Sequence, residues 1–200
     1  MPHAQVSNSM RTHLILIGLL WLGTCAYLGG ASAITNPSFE IPGSGGVVFG
    51  GWDQFGITGS TSTAIHGNWA ATVSGQNNGS INVSGYWQQL VCSVNEQWRI
   101  AGSVMVSESM PLQGQSVALV NIEWRNSSGG MISYDSYAIA DASSPVGEYL
   151  SFEQISSAAP AGTVAMRLVL GVLQGQNDPI PQVSFDQITC YSTSFPTIDD

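Results

Sequence analysis

Val117-Ala118-Leu119-Val120-Asn121-Ile122-Glu123-Trp124 is the stretch that decides the fold class of this chain. Alternate residues of an extended strand point to opposite faces. Ala118, Val120, Ile122 and Trp124 therefore share one face, and Val117, Leu119, Asn121 and Glu123 the other. The two faces differ in polarity toward the C-terminal end. On both sides of this stretch the sequence keeps the same character: rich in Gly, Ser, Thr and Val, poor in strong helix formers, and broken about every ten residues by Gly, Asn, Asp or Pro clusters. The pattern predicts strands over 38–40, 51–56, 62–74, 85–91, 97–107, 116–125, 132–140, 149–156, 164–172 and 183–191, with no convincing helix. Bends fall at 76–80, 126–130, 141–147 and 174–181, built from residues that tolerate turns or positive φ. Many short strands in one chain of this size imply two packed antiparallel sheets, an arrangement that hides strand edges.

The first 33 residues read as a secretory signal peptide: a polar start ending in Arg11, an apolar run from Leu14 to Leu22, and a small-residue site at Ala31-Ser32-Ala33. Two alternatives stay open. A retained membrane anchor would have to accommodate Gly23, Thr24, Gly29 and Gly30 soon after the apolar run, whereas spanning takes about 20 apolar residues. A lipid anchor on Cys25 would have Thr24 before the cysteine, which fits such a site poorly. With cleavage after Ala33, residues 34–192 form one domain, 193–200 a tail, and the protein is extracellular or periplasmic.

From Ile34 onward three Arg stand against 13 carboxylates, a balance of −10, and the chain has no Lys. Binding to nucleic acid or to an anionic membrane would work against that field. A neutral or cationic ligand fits better. Cys25 leaves with the signal peptide, so Cys92 and Cys190 are expected to form a disulfide in an oxidising compartment. Closing so long a loop is worth about 4–5 kcal/mol in the chain-entropy model.

Asn36-Pro37-Ser38-Phe39-Glu40 and Val183-Ser184-Phe185-Asp186-Gln187-Ile188 each set a carboxylate beside a core-type Phe. Between them, in order, come Gly50-Gly51-Trp52, the run from Ala64 to Val73 with Gly67, Trp87-Gln88-Gln89-Leu90, Ile122-Glu123-Trp124-Arg125 before Gly129-Gly130, and Ala159-Pro160-Ala161-Gly162-Thr163. This series resembles the jelly-roll carbohydrate-binding modules related to the galactose-binding-like domains. The resemblance covers almost all of the chain after residue 33 and implies an all-β jelly-roll sandwich of two antiparallel sheets. It also implies a structural Ca²⁺ held by Asp186, Glu40 and the carbonyls of Ser38 and Gly67, since calcium takes oxygen ligands that strand ends and loops can supply. Gln187 stands where the family often has a second acidic residue, which lowers the local negative charge.

Such modules stack sugar rings on aromatics and hold hydroxyls with amides and charged groups. Candidate contacts are Trp69, Tyr86, Trp87, Gln89, Trp124, Arg125, Asn126, Tyr134 and Tyr137. Trp124, Arg125 and Asn126 are the most attractive group, an aromatic, a forked donor and an amide beside a turn. Alternation sends Tyr86 and Trp87 to opposite faces, so one of the two belongs to the core. Catalysis has little support. Glu108, Glu123, Asp135, Glu148 and Glu153 form no diagnostic pair, His66 is the single histidine after residue 33, and no nucleophile motif occurs. The expected function is a secreted, non-catalytic module that binds a polysaccharide or glycan. The competing expectation is an extracellular structural or adhesion subunit that self-assembles through the same sandwich.

Overall fold

The computed structural model describes residues 32–76 and 78–193. The expected signal peptide up to residue 31 and the tail from 194 lie outside the described residues. Ten strands follow in order: β1 (Asp53–Phe55), β2 (Ile57–Thr61), β3 (Ala70–Ser74), β4 (Asn82–Val91), β5 (Trp98–Val106), β6 (Val117–Arg125), β7 (Met131–Ala140), β8 (Tyr149–Ile155), β9 (Ala165–Gln174) and β10 (Gln182–Ser192). They build two five-stranded sheets ordered β1-β4-β9-β6-β7 and β2-β3-β10-β5-β8. Every strand pairing within them is antiparallel. The expected all-β sandwich is the observed one, and no helix occurs among the described residues.

Alternation explains which side chains fill the space between the sheets. From the first sheet come Tyr86, Ala118, Val120, Ile122, Trp124, Met166, Leu168, Leu170 and Val172. From the second come Val73, Ile100, Val104, Phe152, Val183, Phe185, Ile188 and Cys190. Phe39, Phe49, Trp52 and Tyr86 close one end, with Phe39 5.1 Å from the rings of both Phe49 and Trp52.

Three expectations are corrected. Residues 38–40 are a turn rather than a strand: Asn36 and Phe39 adopt positive φ. Asn36 holds that turn, its Nδ2 donating to the carbonyls of Ile41 and Gly50 while its Oδ1 accepts from the Ile41 N–H. The expected strand 62–74 shortens to β3 at its C-terminal end, because residues 62–69 leave the sheet as a loop between β2 and β3. Cys92 and Cys190 are free and buried, not bridged. Cys92 follows β4 of one sheet and its Sγ accepts from Trp98 Nε1 at 3.4 Å, while Cys190 faces inward from β10 of the other. The tie to the last strand is made by backbone instead. Ala33 N–H donates to the Cys190 carbonyl at 2.7 Å, and Ile188 N–H to the Pro37 carbonyl at 2.8 Å.

Candidate functional site

The outward side of the β1-β4-β9-β6-β7 sheet gathers polar and aromatic groups into rows. Strand pairing aligns Trp87, Val169, Asn121 and Ser136 across β4, β9, β6 and β7. The adjacent row is Gln89, Arg167, Glu123 and Tyr134. Asp53 of β1 pairs with Trp87, and Arg125 lies two residues beyond Glu123, on the same side of β6. These residues face outward because Tyr86, Leu168, Ile122 and Trp124, one step away in each strand, are taken by the core.

The Arg167 guanidinium lies flat against Trp87, its carbon 3.8 Å from the ring centroid. Its Nη1 is 3.9 Å from Glu123 Oε2, a long contact. That carboxylate is engaged more closely by Arg125 Nη2, while Arg125 Nη1 donates to the Gly129 carbonyl at 3.1 Å. Burial, then the Arg125 charge, pushes the Arg167 guanidinium below its ordinary pKa, against the opposing pull of Glu123 and Asp53. Phe55, Trp87, Glu123, Arg167 and Val169 line a cleft of about 300 Å³. A second hollow of about 580 Å³ continues from Trp87 past Asp53, Thr35 and Gln89.

Three polar atoms in these rows are buried without a partner: Asn121 Oδ1, Arg125 Nε and Arg167 Nε. A buried group left unpaired costs about 1–3 kcal/mol, and native structures hold few of them. Trp124 Nε1 and Thr163 Oγ1 are buried and unpartnered as well, outside these rows.

Of the expected contacts, Trp87, Gln89, Arg125 and Tyr134 stand on this face, Tyr134 being 58 % exposed. Others do not. Trp124 and Tyr86 are fully buried, Tyr86 donating its hydroxyl to the Gly59 carbonyl. Tyr137 points to the inner side and donates to the Ile155 carbonyl at 2.9 Å. Asn126 shapes its own turn, its Oδ1 accepting from the Ser128 and Gly130 N–H groups. Trp69, 45 % exposed, borders a separate hollow with Phe39, Glu40, Pro42 and Phe49. Arg167 and Asn121 were not selected by the sequence reading. The signal for Arg167 was there: a lone cation in the otherwise apolar run Val164 to Val172.

Of the four expected calcium ligands, Glu40 and Asp186 both grip the loop that carries Gly67, and they do so through amide hydrogens. Asp186, fully buried, accepts at Oδ2 from the Ile65 and His66 N–H groups, both at 2.9 Å, and at Oδ1 from Gln187 N–H at 2.7 Å. Glu40 accepts at both oxygens from Asn68 N–H, at Oε1 from Trp69 N–H and at Oε2 from Asn68 Nδ2. The backbone N–H of Asn68, then that of Trp69, lowers the Glu40 pKa from its ordinary value. Gly67 lies over Glu40 with φ of 74°, and a Cβ there would come within 2.4 Å of the Glu40 carboxyl carbon. A carboxylate offers about four lone-pair positions. Three N–H groups are shared over the two Glu40 oxygens, the Asn68 N–H bridging both, and two N–H groups occupy Asp186 Oδ2. Calcium takes about six to eight oxygens, whereas three N–H groups meet each of these two carboxylates and leave about one position on each. Glu40 and Asp186, so arranged, hold amide hydrogens, and no group of three or more His, Cys, Asp or Glu side chains comes together to hold a metal among the described residues. They form a direct clamp on the 62–69 loop, which Tyr149 adds to by donating its hydroxyl to the Thr63 carbonyl at 2.7 Å.

No family model and no curated protein matches this chain. Its fold has solved counterparts. The enzymatically active domain of bacteriophage CBA120 tailspike protein 4 superposes with a TM-score of 0.56 at 12 % identity, over 80 % of this chain and 21 % of that one. The tandem CBM22-1–CBM22-2 domain of Paenibacillus barcinonensis Xyn10C gives 0.55 at 16 % identity, over 84 % and 49 %. A carbohydrate-binding module from a study of promiscuous specificity in the β-sandwich superfamily gives 0.55 at 12 % identity, over 80 % and 62 %. This is the fold of the β-sandwich carbohydrate-binding modules. The chain spans about a fifth of the tailspike domain, half of the tandem pair and under two thirds of the third structure. At these identities the likeness to the modules is one of fold, and the ligand has to be argued from the sheet face itself.

Proposed function

We propose that this protein is an extracellular, non-catalytic module that binds a polysaccharide or glycan on the outward face of the β1-β4-β9-β6-β7 sheet. The observation that carries this reading is the cleft in which Arg167 sits over Trp87 beside Glu123, with Asn121, Arg125 and Tyr134 on the same outward face. Sugars present many hydroxyls in a fixed geometry, and a rigid sheet studded with amide and guanidinium groups meets them without ordering cost in a loop. From Trp87 on β4 to the β7 strand that carries Tyr134 is three strand spacings, about 14 Å, a length that suits a chain of several sugar units. Two of the similar structures, the tandem CBM22-1–CBM22-2 domain and the β-sandwich module, are carbohydrate-binding modules, which agrees with the reading.

The same geometry argues against hydrolysis. Glycosidases work through two carboxyl groups flanking the bond, one of them able to hold a proton. Glu123 is tied to Arg125 and faces Arg167, and Asp53 stands three strands away on β1. Clefts with an aromatic and polar groups favour a ligand over self-assembly. The test is retention on a panel of insoluble and gel-embedded polysaccharides, comparing wild type with Asn121→Ala and Trp87→Ala. Retention of the wild type on at least one polymer, reduced about tenfold or more in both variants, is expected. Retention of the wild type on none of them would falsify the proposal.

A further inference from the structure

Three arginines follow residue 33, and they are the only Lys or Arg residues there. Arg99 is paired with Glu153 on the other sheet. Arg125 is held by Glu123 and the Gly129 carbonyl. Arg167 is the exception. Among the described residues it has no hydrogen bond, its Nε is buried and unpartnered, and its one ion-pair contact, at 3.9 Å, is to a carboxylate already taken by Arg125. Its side chain is 26 % exposed. The contact with Trp87 holds the guanidinium at the cleft, where its Nη nitrogens, rather than the buried Nε, are the groups left for a ligand.

We propose that the glycan received on this face is acidic, and that Arg167 takes its anionic group, a uronate carboxylate or a sulfate ester, through the guanidinium edge. The inference rests on the glycan reading above and reverses the expectation of a neutral ligand drawn from overall charge. Taking a cation partly out of water is costly unless an opposite charge or strong acceptors compensate it. A neutral hydroxyl supplies one weaker acceptor. A carboxylate or sulfate supplies two oxygens that match the guanidinium fork, with charge-assisted bonds about twice as strong as neutral ones. Asn121, one row away on the same face, places an amide side chain beside this contact. The acidic balance of the rest of the protein has a useful consequence. A chain of net charge −9 repels polyanions, so retention on one reports a direct contact rather than ion exchange.

The experiment is affinity electrophoresis and titration calorimetry with four polymers: polygalacturonate, the same polymer with its carboxyls methyl-esterified, a sulfated galactan and its desulfated counterpart. Wild type, Arg167→Gln, Arg167→Lys and Arg99→Gln are compared, the last removing the same charge from the opposite sheet. At least tenfold tighter binding to one acidic polymer than to its neutral partner is expected. That preference is lost in Arg167→Gln, partly kept in Arg167→Lys and unchanged in Arg99→Gln. Preference for polygalacturonate assigns the group as a carboxylate, and preference for the sulfated galactan as a sulfate ester. Equal binding of acidic and neutral polymers, insensitive to Arg167→Gln, overturns the inference and leaves the glycan face standing. Retention on none of the four also overturns it, and a negative polysaccharide panel for the wild type then removes the glycan reading as well. Arg167→Gln is expected to melt within a few degrees of wild type, because the contacts it loses are one long ion pair and the Trp87 stack, so lost binding is not lost folding.

Discussion

Replacing Asp186 with Ala strikes the clamp that joins β10 to the 62–69 loop, and its effect can be worked from the bonds that vanish. Three backbone N–H groups, those of Ile65, His66 and Gln187, lose their acceptor. Each buried donor left unpaired costs about 1–3 kcal/mol. Ile65 and His66 lie on an exposed loop that can lift and bond to water, which places the total near the low end, about 3–4 kcal/mol. With a urea slope of about 2 kcal/mol per molar, the unfolding midpoint falls by about 1.5–2 M. Asp186→Asn keeps a neutral acceptor for the loop but turns a donor toward Gln187 N–H, so a loss of about 2–3 kcal/mol is expected. Urea titration by tryptophan fluorescence measures both. A midpoint shift below about 0.3 M for Asp186→Ala would refute the reasoning. Calcium is the second arm. Because the carboxylates are already taken by N–H groups, neither added Ca²⁺ nor a chelator moves the wild-type midpoint, and a drop on chelation comparable to the Asp186→Ala loss would show that an ion holds the clamp.

Other perturbations separate core from surface. Trp124→Ala removes a fully buried side chain and is expected to cost about 3–5 kcal/mol in unfolding free energy, whereas Trp87→Ala weakens glycan retention with a smaller stability change. Burial pushes the Cys92 thiol up to about 11 and the Cys190 thiol up to about 12, so neither forms the reactive thiolate near neutrality. A thiol reagent at pH 8 therefore leaves both unmodified in the folded protein and labels both in urea; recovery of a single disulfide-linked peptide by mass spectrometry would contradict this. The Glu40 carboxyl titrates below its ordinary 4.5 in the folded state, so its hold on the loop is complete above that value and is lost as pH falls through the lower folded one. Amide protection at Asn68 and Trp69 should follow that fall, and protection that stays constant down to complete protonation would count against the bond.

Eight of the ten strands could be placed from sequence because alternation is set by the pleat, which tertiary context rarely overrides. The failures have local causes. Residues 62–74 read as one strand because Ser, Thr and Ala alternate through the loop as they do through β3, and nothing in the pattern shows that Asp186 and Glu40 will capture the loop's N–H groups. Gln187 carries a positive φ at a bulge in β10, where pairing shifts between Asp186 and Thr189. That extra residue moves the inward set from Val183 and Phe185 to Ile188 and Cys190, a change of parity no period-two reading contains. Trp124 is the instructive case at the site. Alternation groups it with Ala118, Val120 and Ile122, which assigns it to the core, and its polar neighbours Arg125 and Asn126 drew it toward the ligand instead. Arg167 is visible in sequence as a lone cation in an apolar strand, but only strand pairing sets it beside Trp87 and Glu123.

The central claim is that ligand binds on the outward sheet face. Hydrogen exchange with and without the polysaccharide that retains the protein, read out peptide by peptide, tests it most directly. Bound glycan is predicted to slow exchange in β4, β6 and β9 around Trp87, Asn121 and Arg167, leaving the 62–69 loop unchanged. Protection confined to the loop and Trp69, with the sheet face unaffected, would contradict the account.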